Sequence, residues 1–130
     1  MPRPYHGRLF ASLIIMDITI YHNPQCSNSR SALAAIRAAG FEPRIVDYLA
    51  TPPSREELLR MLAGAGLRPI DAMRTKESLF AELKLDAEGV GDAALVDAML
   101  AHPKLMNRPF VVTPKGVRLC RPPETVREIL

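Results

Sequence analysis

Residues 17–40 read "DITIYHNPQCSNSRSALAAIRAAG". The first six alternate polar and apolar side chains, the period of a half-buried strand. "NPQCSNS" ends that alternation with turn-forming residues, and "RSALAAIRAAG" continues at helical spacing to a glycine stop. The stretch predicts a strand over Ile18 to His22 and a helix from about Ser27 to Ala39. Ser27, Asn28 and Ser29 are candidate N-caps, and Gly40 suits the left-handed position beyond the helix end. A lone cysteine, Cys26, falls at the strand-to-helix junction. Redox proteins often carry a Cys-x-x-Cys pair there; here the fourth position is Ser29.

Working outward, "PRIVDYL" predicts a second strand from Arg44 to Tyr48. A strand, a helix and a strand joined this way should form a parallel, right-handed unit. In "ATPPSREELLRMLAGAG" Ser54 and Glu57 fit a capping box, Leu58, Leu59 and Leu62 form an apolar face, and Gly64 to Gly66 ends the helix. Shorter helices are expected near Pro69 to Met73, around Ser78 to Leu83 and from about Asp92 to Ala101. "PFVVTPKGVRLCRPP" reads as a hairpin, with arms at Phe110 to Thr113 and Val117 to Cys120 and a turn at Pro114 to Gly116. "PPETVREIL" reads as a terminal helix with proline at its start and Glu124 in its first turn, stopping abruptly at Leu130. The order β-α-β, helices, β-β-α is the thioredoxin-like arrangement. This α/β fold has a mixed four-stranded sheet flanked by helices, with a helical insertion between its two halves.

The chain has 130 residues, 48% of them apolar, which is enough for one compact domain over residues 16–130. No apolar run approaches the ~20 residues that span a bilayer. Two cysteines make no disulfide framework, so a soluble monomer in a reducing cytoplasm is expected. The net charge is +3, but the segment "MPRPYHGRLFASLII" holds Arg3 and Arg8 and no acidic residue; without it the charge is +1. That bias is too weak to suggest a nucleic-acid or membrane partner. The segment resembles a weak signal peptide but has a short apolar stretch and no A-x-A site. Residues 1–15 are therefore expected to be an extension foreign to the fold, with Met16 the natural start and Pro2 to Leu13 poorly ordered.

A thiol at a helix N-terminus faces unpaired backbone N–H groups and the positive end of the helix dipole, which favour the thiolate. His22 is near in sequence and can add positive charge when protonated. The alternative is a buried structural cysteine, but the flanks of Cys26 are polar and rich in capping residues. A phosphatase-type loop needs Cys-x5-Arg; position 32 is Ala32, so that reading fails, and Arg30 is left as a solvated helix residue. No Cys/His cluster has metal-ligand spacing, so no metal is expected.

"ITIYHNPQCSNSR", "YLATPPSREEL" and "LMNRPFVVTPKGVRLCRP" closely resemble the glutathione- and glutaredoxin-linked arsenate reductases of bacteria. The resemblance runs from about Met16 to Leu130. It implies a thioredoxin-like fold, Cys26 as nucleophile, Arg74, Arg108 and Arg121 as the oxyanion holders, and His22 and Ser29 as groups that tune the thiolate. Pro109 matches the cis-proline that faces the active cysteine in such folds. It further implies an arseno-thioester on Cys26, glutathione as co-substrate with no bound cofactor, and glutaredoxin resolving a Cys26–glutathione mixed disulfide. Proteins of the family often continue beyond the start of the terminal helix.

From the residues themselves, Arg108 and Arg121 each lie beside a proline at a strand end, where side chains can converge on the first helix. Arg74 rests mainly on the resemblance. Arg37, Arg55, Arg60 and Arg127 read as solvated, opposite the leucines. Cys120 reads as a structural, half-buried thiol, His102 as a helix end, and His6 belongs to the extension. Two other functions fit the same fold: a glutathione-dependent thiol oxidoreductase with another substrate, and a non-enzymatic transcription-regulatory relative. The second is disfavoured because such regulators carry Cys-x-x-Cys at this loop.

Overall fold

A computed structural model describes residues 17–130. The expectations placed on the extension, on Pro2 to Leu13, on His6 and on Met16 lie outside those residues. Strand β1 is Thr19–His22, helix α1 is Ser27–Ala38 and strand β2 is Arg44–Asp47. Helix α2 is Arg55–Ala65, followed by a 3₁₀ turn at Pro69–Ala72, short helix α3 at Ser78–Glu82, helix α4 at Asp92–Ala101 and a second 3₁₀ turn at Pro103–Leu105. Strands β3 (Phe110–Thr113) and β4 (Gly116–Leu119) form the hairpin, and a 3₁₀ segment at Pro123–Ile129 closes the chain.

The sheet order is β2-β1-β3-β4. β1 runs parallel to β2, with His22 opposite Asp47, and antiparallel to β3, with Tyr21 opposite Phe110. β3 and β4 are antiparallel. This is the thioredoxin-like arrangement read from the sequence. β1 is central, and all four of its residues are buried. Its alternation separates two cores, because successive side chains of a strand point to opposite faces. Ile18 and Ile20 pack with Ala32 and Ile36 of α1, Val111, Cys120, Val126 and Ile129. Tyr21 packs on the other side with Leu58 and Leu62 of α2, Met99 of α4, and Phe110.

The capping box of α2 forms at both ends: Ser54 Oγ accepts from Glu57 N at 3.1 Å, and Ser54 N donates to the Glu57 carboxylate at 3.0 Å. Gly66 takes the left-handed conformation that ends this helix, with φ at 69°.

Two expectations change. The N-cap of α1 is Cys26, not one of the three residues after it, and no side chain caps the helix. The terminal segment is a 3₁₀ helix. Its bonds close three residues back, Thr125 N to Pro122 O at 3.2 Å and Leu130 N to Arg127 O at 3.4 Å. The hairpin holds it there: Thr113 Oγ1 donates to Ile129 O at 2.6 Å and Lys115 Nζ to Leu130 O at 2.7 Å. The peptide bond before Pro109 is cis, and so is the one before Pro122.

Candidate active site

The site begins at the loop between β1 and α1. Asn23 organises it. Its carbonyl accepts Cys26 N–H at 3.0 Å, its own N–H donates to Ser29 Oγ at 3.3 Å, and its Oδ1 accepts Gln25 N–H at 2.9 Å. Arg30 is not simply solvated, because it donates to the Pro24 carbonyl at 2.8 Å and so braces the same loop. Cys26 is held extended, at φ −95° and ψ 124°, directly before the helix. No acidic residue occupies the first turn of α1, so nothing offsets the positive end of the dipole.

Burial works against ionisation of the Cys26 thiol. The Ser29 N–H, the Arg108 guanidinium and the Asn28 N–H outweigh it and hold the thiol below its ordinary value. Ser29 thus acts twice: its hydroxyl ties down Asn23, and its amide faces the sulfur. The His22 imidazole is shifted as well. Burial pushes its imidazole down, the charges of Arg37 and Arg30 add to that, and Asp47 opposes them. A histidine lowered from a value already near neutrality is mostly uncharged at pH 7, so it supplies little positive charge.

Arg74, Arg108 and Arg121 line one open depression of about 350 Å³, together with Thr75, Lys76 and Asn107. Local backbone pairing brings the distant segments together. Met73 bridges Met106, Arg74 N donates to Leu105 O at 2.8 Å, and Asn107 N donates to Ala72 O at 2.7 Å. The Arg121 guanidinium donates to the Arg108 carbonyl at 3.0 Å. Glu77 steadies Arg74 at 3.3 Å and reaches Lys104 at 3.7 Å. Nε of Arg108 is buried and has no acceptor among the described residues. The depression is therefore strongly cationic, and one of the arginines lining it, Arg108, is also a group that lowers the Cys26 thiol.

Besides Asn23 and Thr75, three residues of this region escaped the sequence reading. Tyr48, one residue beyond β2 and only 1% exposed, has its phenol raised by burial. Arg108, the Asn23 amide and Arg74 pull the other way, and Cys26 adds to the rise. The parallel register that sets His22 opposite Asp47 brings the next pair, Asn23 and Tyr48, side by side. Lys76 and Asn107 are the other two. The motif "NR" at 107–108 was the only available signal for Asn107; Lys76 has none in a single sequence.

The remaining candidates are structural. Arg37 pairs with Glu42 at 2.9 Å, and Arg55 pairs with Asp97. Cys120 is fully buried, not half-buried, since it lies between α1 and the terminal segment. Burial pushes its thiol up to about 11, against the pull of Thr125 and Arg118. His102 ends α4, its N–H bonding to Ala98 O. No group of His, Cys, Asp and Glu able to hold a metal occurs among the described residues. No helix among them is long and apolar enough to cross a membrane.

The model of the ArsC family matches residues 21–129. An arsenate reductase of Rhizobium meliloti is 57% identical over 115 residues, which are 88% of this chain and 82% of that protein. One of Escherichia coli K12 is 50% identical over 114 residues, 88% and 81% of the two chains. Among solved structures, an arsenate reductase from Vibrio cholerae superimposes with a TM-score of 0.84 at 47% identity, covering 88% of this chain and 98% of that one.

Proposed function

The chain belongs to the ArsC family, and from that premise we propose that it reduces arsenate to arsenite with Cys26 as nucleophile. The observation that carries this reading is the junction of an activated thiol with a three-arginine depression through one shared residue, Arg108. A dianionic oxyanion and a thiolate repel each other. Guanidinium groups offset that repulsion and fix the oxygens through paired N–H donors. The buried Arg108 Nε, which has no acceptor among the described residues, is a further donor of the kind an oxyanion uses.

In the first step the Cys26 thiolate attacks arsenic, a sulfur–arsenic bond forms, and one arsenate oxygen leaves as water after taking up protons. Arsenic stays pentavalent. In the second step a low-molecular-weight thiol attacks the Cys26 sulfur. A disulfide forms, the sulfur–arsenic bond breaks, and its electron pair leaves with arsenic as trivalent arsenite. Two thiols are oxidised for the two electrons arsenic gains. Ser29 stands where an internal second thiol would, and Cys120 is buried with a raised thiol, so the second sulfur comes from outside the chain. Glutathione fits that part, and glutaredoxin then resolves the mixed disulfide. Thiol-dependent turnover of this kind belongs in a reducing compartment such as the cytoplasm.

The test is NADPH oxidation dependent on arsenate, with glutathione, glutathione reductase and glutaredoxin supplied. Cys26→Ser should abolish it, and full activity in that variant would sink the reading. Mass spectrometry after arsenate and glutathione should find a glutathione adduct on Cys26 and none on Cys120.

A further inference from the structure

The depression is larger and more positive than a single oxyanion uses. A four-oxygen anion displaces roughly 120 Å³, at about 30 Å³ for each water-sized group, against about 350 Å³ available. Four cations line the space, Arg74, Lys76, Arg108 and Arg121. One carboxylate lies close by, Glu77, and it pairs with Arg74 and Lys104. An arsenate dianion on the three arginines leaves Lys76 with no counter-charge.

We propose that Lys76, with Thr75 and Asn107 beside it, is the docking point for a carboxylate of the thiol that attacks the Cys26–arsenic adduct. This inference rests on the arsenate-reductase reading above and adds the place where its co-substrate binds. Lys76 is exposed and makes no ion pair among the described residues. Asn107 Oδ1 is occupied, since it accepts Arg108 N–H at 3.2 Å, which leaves the two donors of its amide for a ligand. Thr75 adds a hydroxyl. The arrangement offers donors and positive charge, and the nearby Glu77 carboxylate is already paired with Arg74 and Lys104, which suits an incoming carboxylate. It also lies in the same depression as Arg108, whose guanidinium lowers the Cys26 thiol, so a thiol docked there by its carboxylate is on the side from which Cys26 is approached. A neutral thiol would find no partner at Lys76.

Two measurements on the full chain test this. In the first, arsenate reduction is followed with glutathione and with neutral dithiothreitol as reductant. Lys76→Ala should lower the ratio of kcat/KM for glutathione to that for dithiothreitol about fivefold, a moderate effect suited to a half-screened charge pair. The glutathione KM should carry that change, and Lys76→Arg should restore it. An unchanged ratio, or an effect confined to the arsenate KM, overturns the proposal. In the second, binding of unreactive S-methylglutathione is measured by calorimetry without arsenate. Binding that weakens about fivefold in Lys76→Ala supports the docking site even if the protein turns over arsenate with neither thiol, an outcome that would fail the reaction reading alone. Binding indifferent to Lys76, or absent from the unmodified protein, removes the site.

Discussion

At the scale of single residues, the Cys26 thiol is the group most altered by its surroundings. Burial would keep it protonated, yet two backbone N–H groups and one guanidinium make it a readier thiolate. Its rate of alkylation by iodoacetamide against pH should therefore have a midpoint below that of an unperturbed cysteine thiol measured alongside. Arg108→Ala should move that midpoint upward, and a midpoint that stays put would remove Arg108 from the account. The folded-state value is the depressed one, so the thiolate stabilises the fold above the unfolded-state value. That contribution is lost as pH falls through the folded-state value. Cys26→Ser should thus match the parent protein in acid and fall behind it in alkali, as read from urea midpoints. Cys120 should stay unmodified at neutral pH, being buried with its thiol pushed up to about 11.

At the scale of elements, the loop before α1 and the start of α2 use different means. The α2 start is a local device: Ser54 and Glu57 satisfy each other's orphan donors. Ser54→Ala should cost about 1 kcal/mol in a denaturant titration, without moving the Cys26 midpoint. The α1 start has no side-chain cap. Its loop is held by Asn23, whose side chain lies beside the buried Tyr48. Asn23→Ala keeps the two backbone bonds to Ser29 Oγ and Cys26 N–H but removes the Oδ1 that accepts Gln25 N–H and the amide beside Tyr48, and the loosened loop should raise the alkylation midpoint. Tyr48→Phe keeps the packing but removes the hydroxyl, and should raise the midpoint by less. If both variants alkylate like the parent protein, the loop holds its shape without them. The capping box was legible in four consecutive letters. The Asn23–Tyr48 pairing was not, because it depends on how β1 and β2 are aligned.

At the scale of the whole molecule, two cores on opposite faces of one sheet set the distances between elements. Gly64 shows how closely α2 lies on β4. A Cβ there would stand 2.8 Å from Val117 Cγ2 and 3.2 Å from its Cβ. Alanine is favoured over glycine in a helix by about 1 kcal/mol, but overpacking costs about 1–3 kcal/mol, and a β-branched valine has little freedom to turn away. Gly64→Ala should therefore be a net loss of stability. Val117→Ala should recover part of it, so urea unfolding of the four proteins in the cycle should show non-additivity. Strict additivity would mean that α2 and β4 are not in tight contact.

The order of elements, the capping box and the place of Cys26 at the strand-to-helix junction were readable from the chain. Each rests on a local pattern: a two-residue or 3.6-residue period, a turn residue, or a short motif. The tertiary structure decided matters that depend on groups far apart in sequence. It brought Arg74 to Arg108 through the pairing of residues 72–74 with 105–107. It lowered the His22 imidazole by burying it at a strand end beside arginine charges, and it sealed Cys120 inside a core where sequence alone suggested partial exposure. It also placed Lys76 in the same depression as the arginines. Burial and the summed charge at a point in space are properties of the packed molecule, and no neighbouring letters encode them.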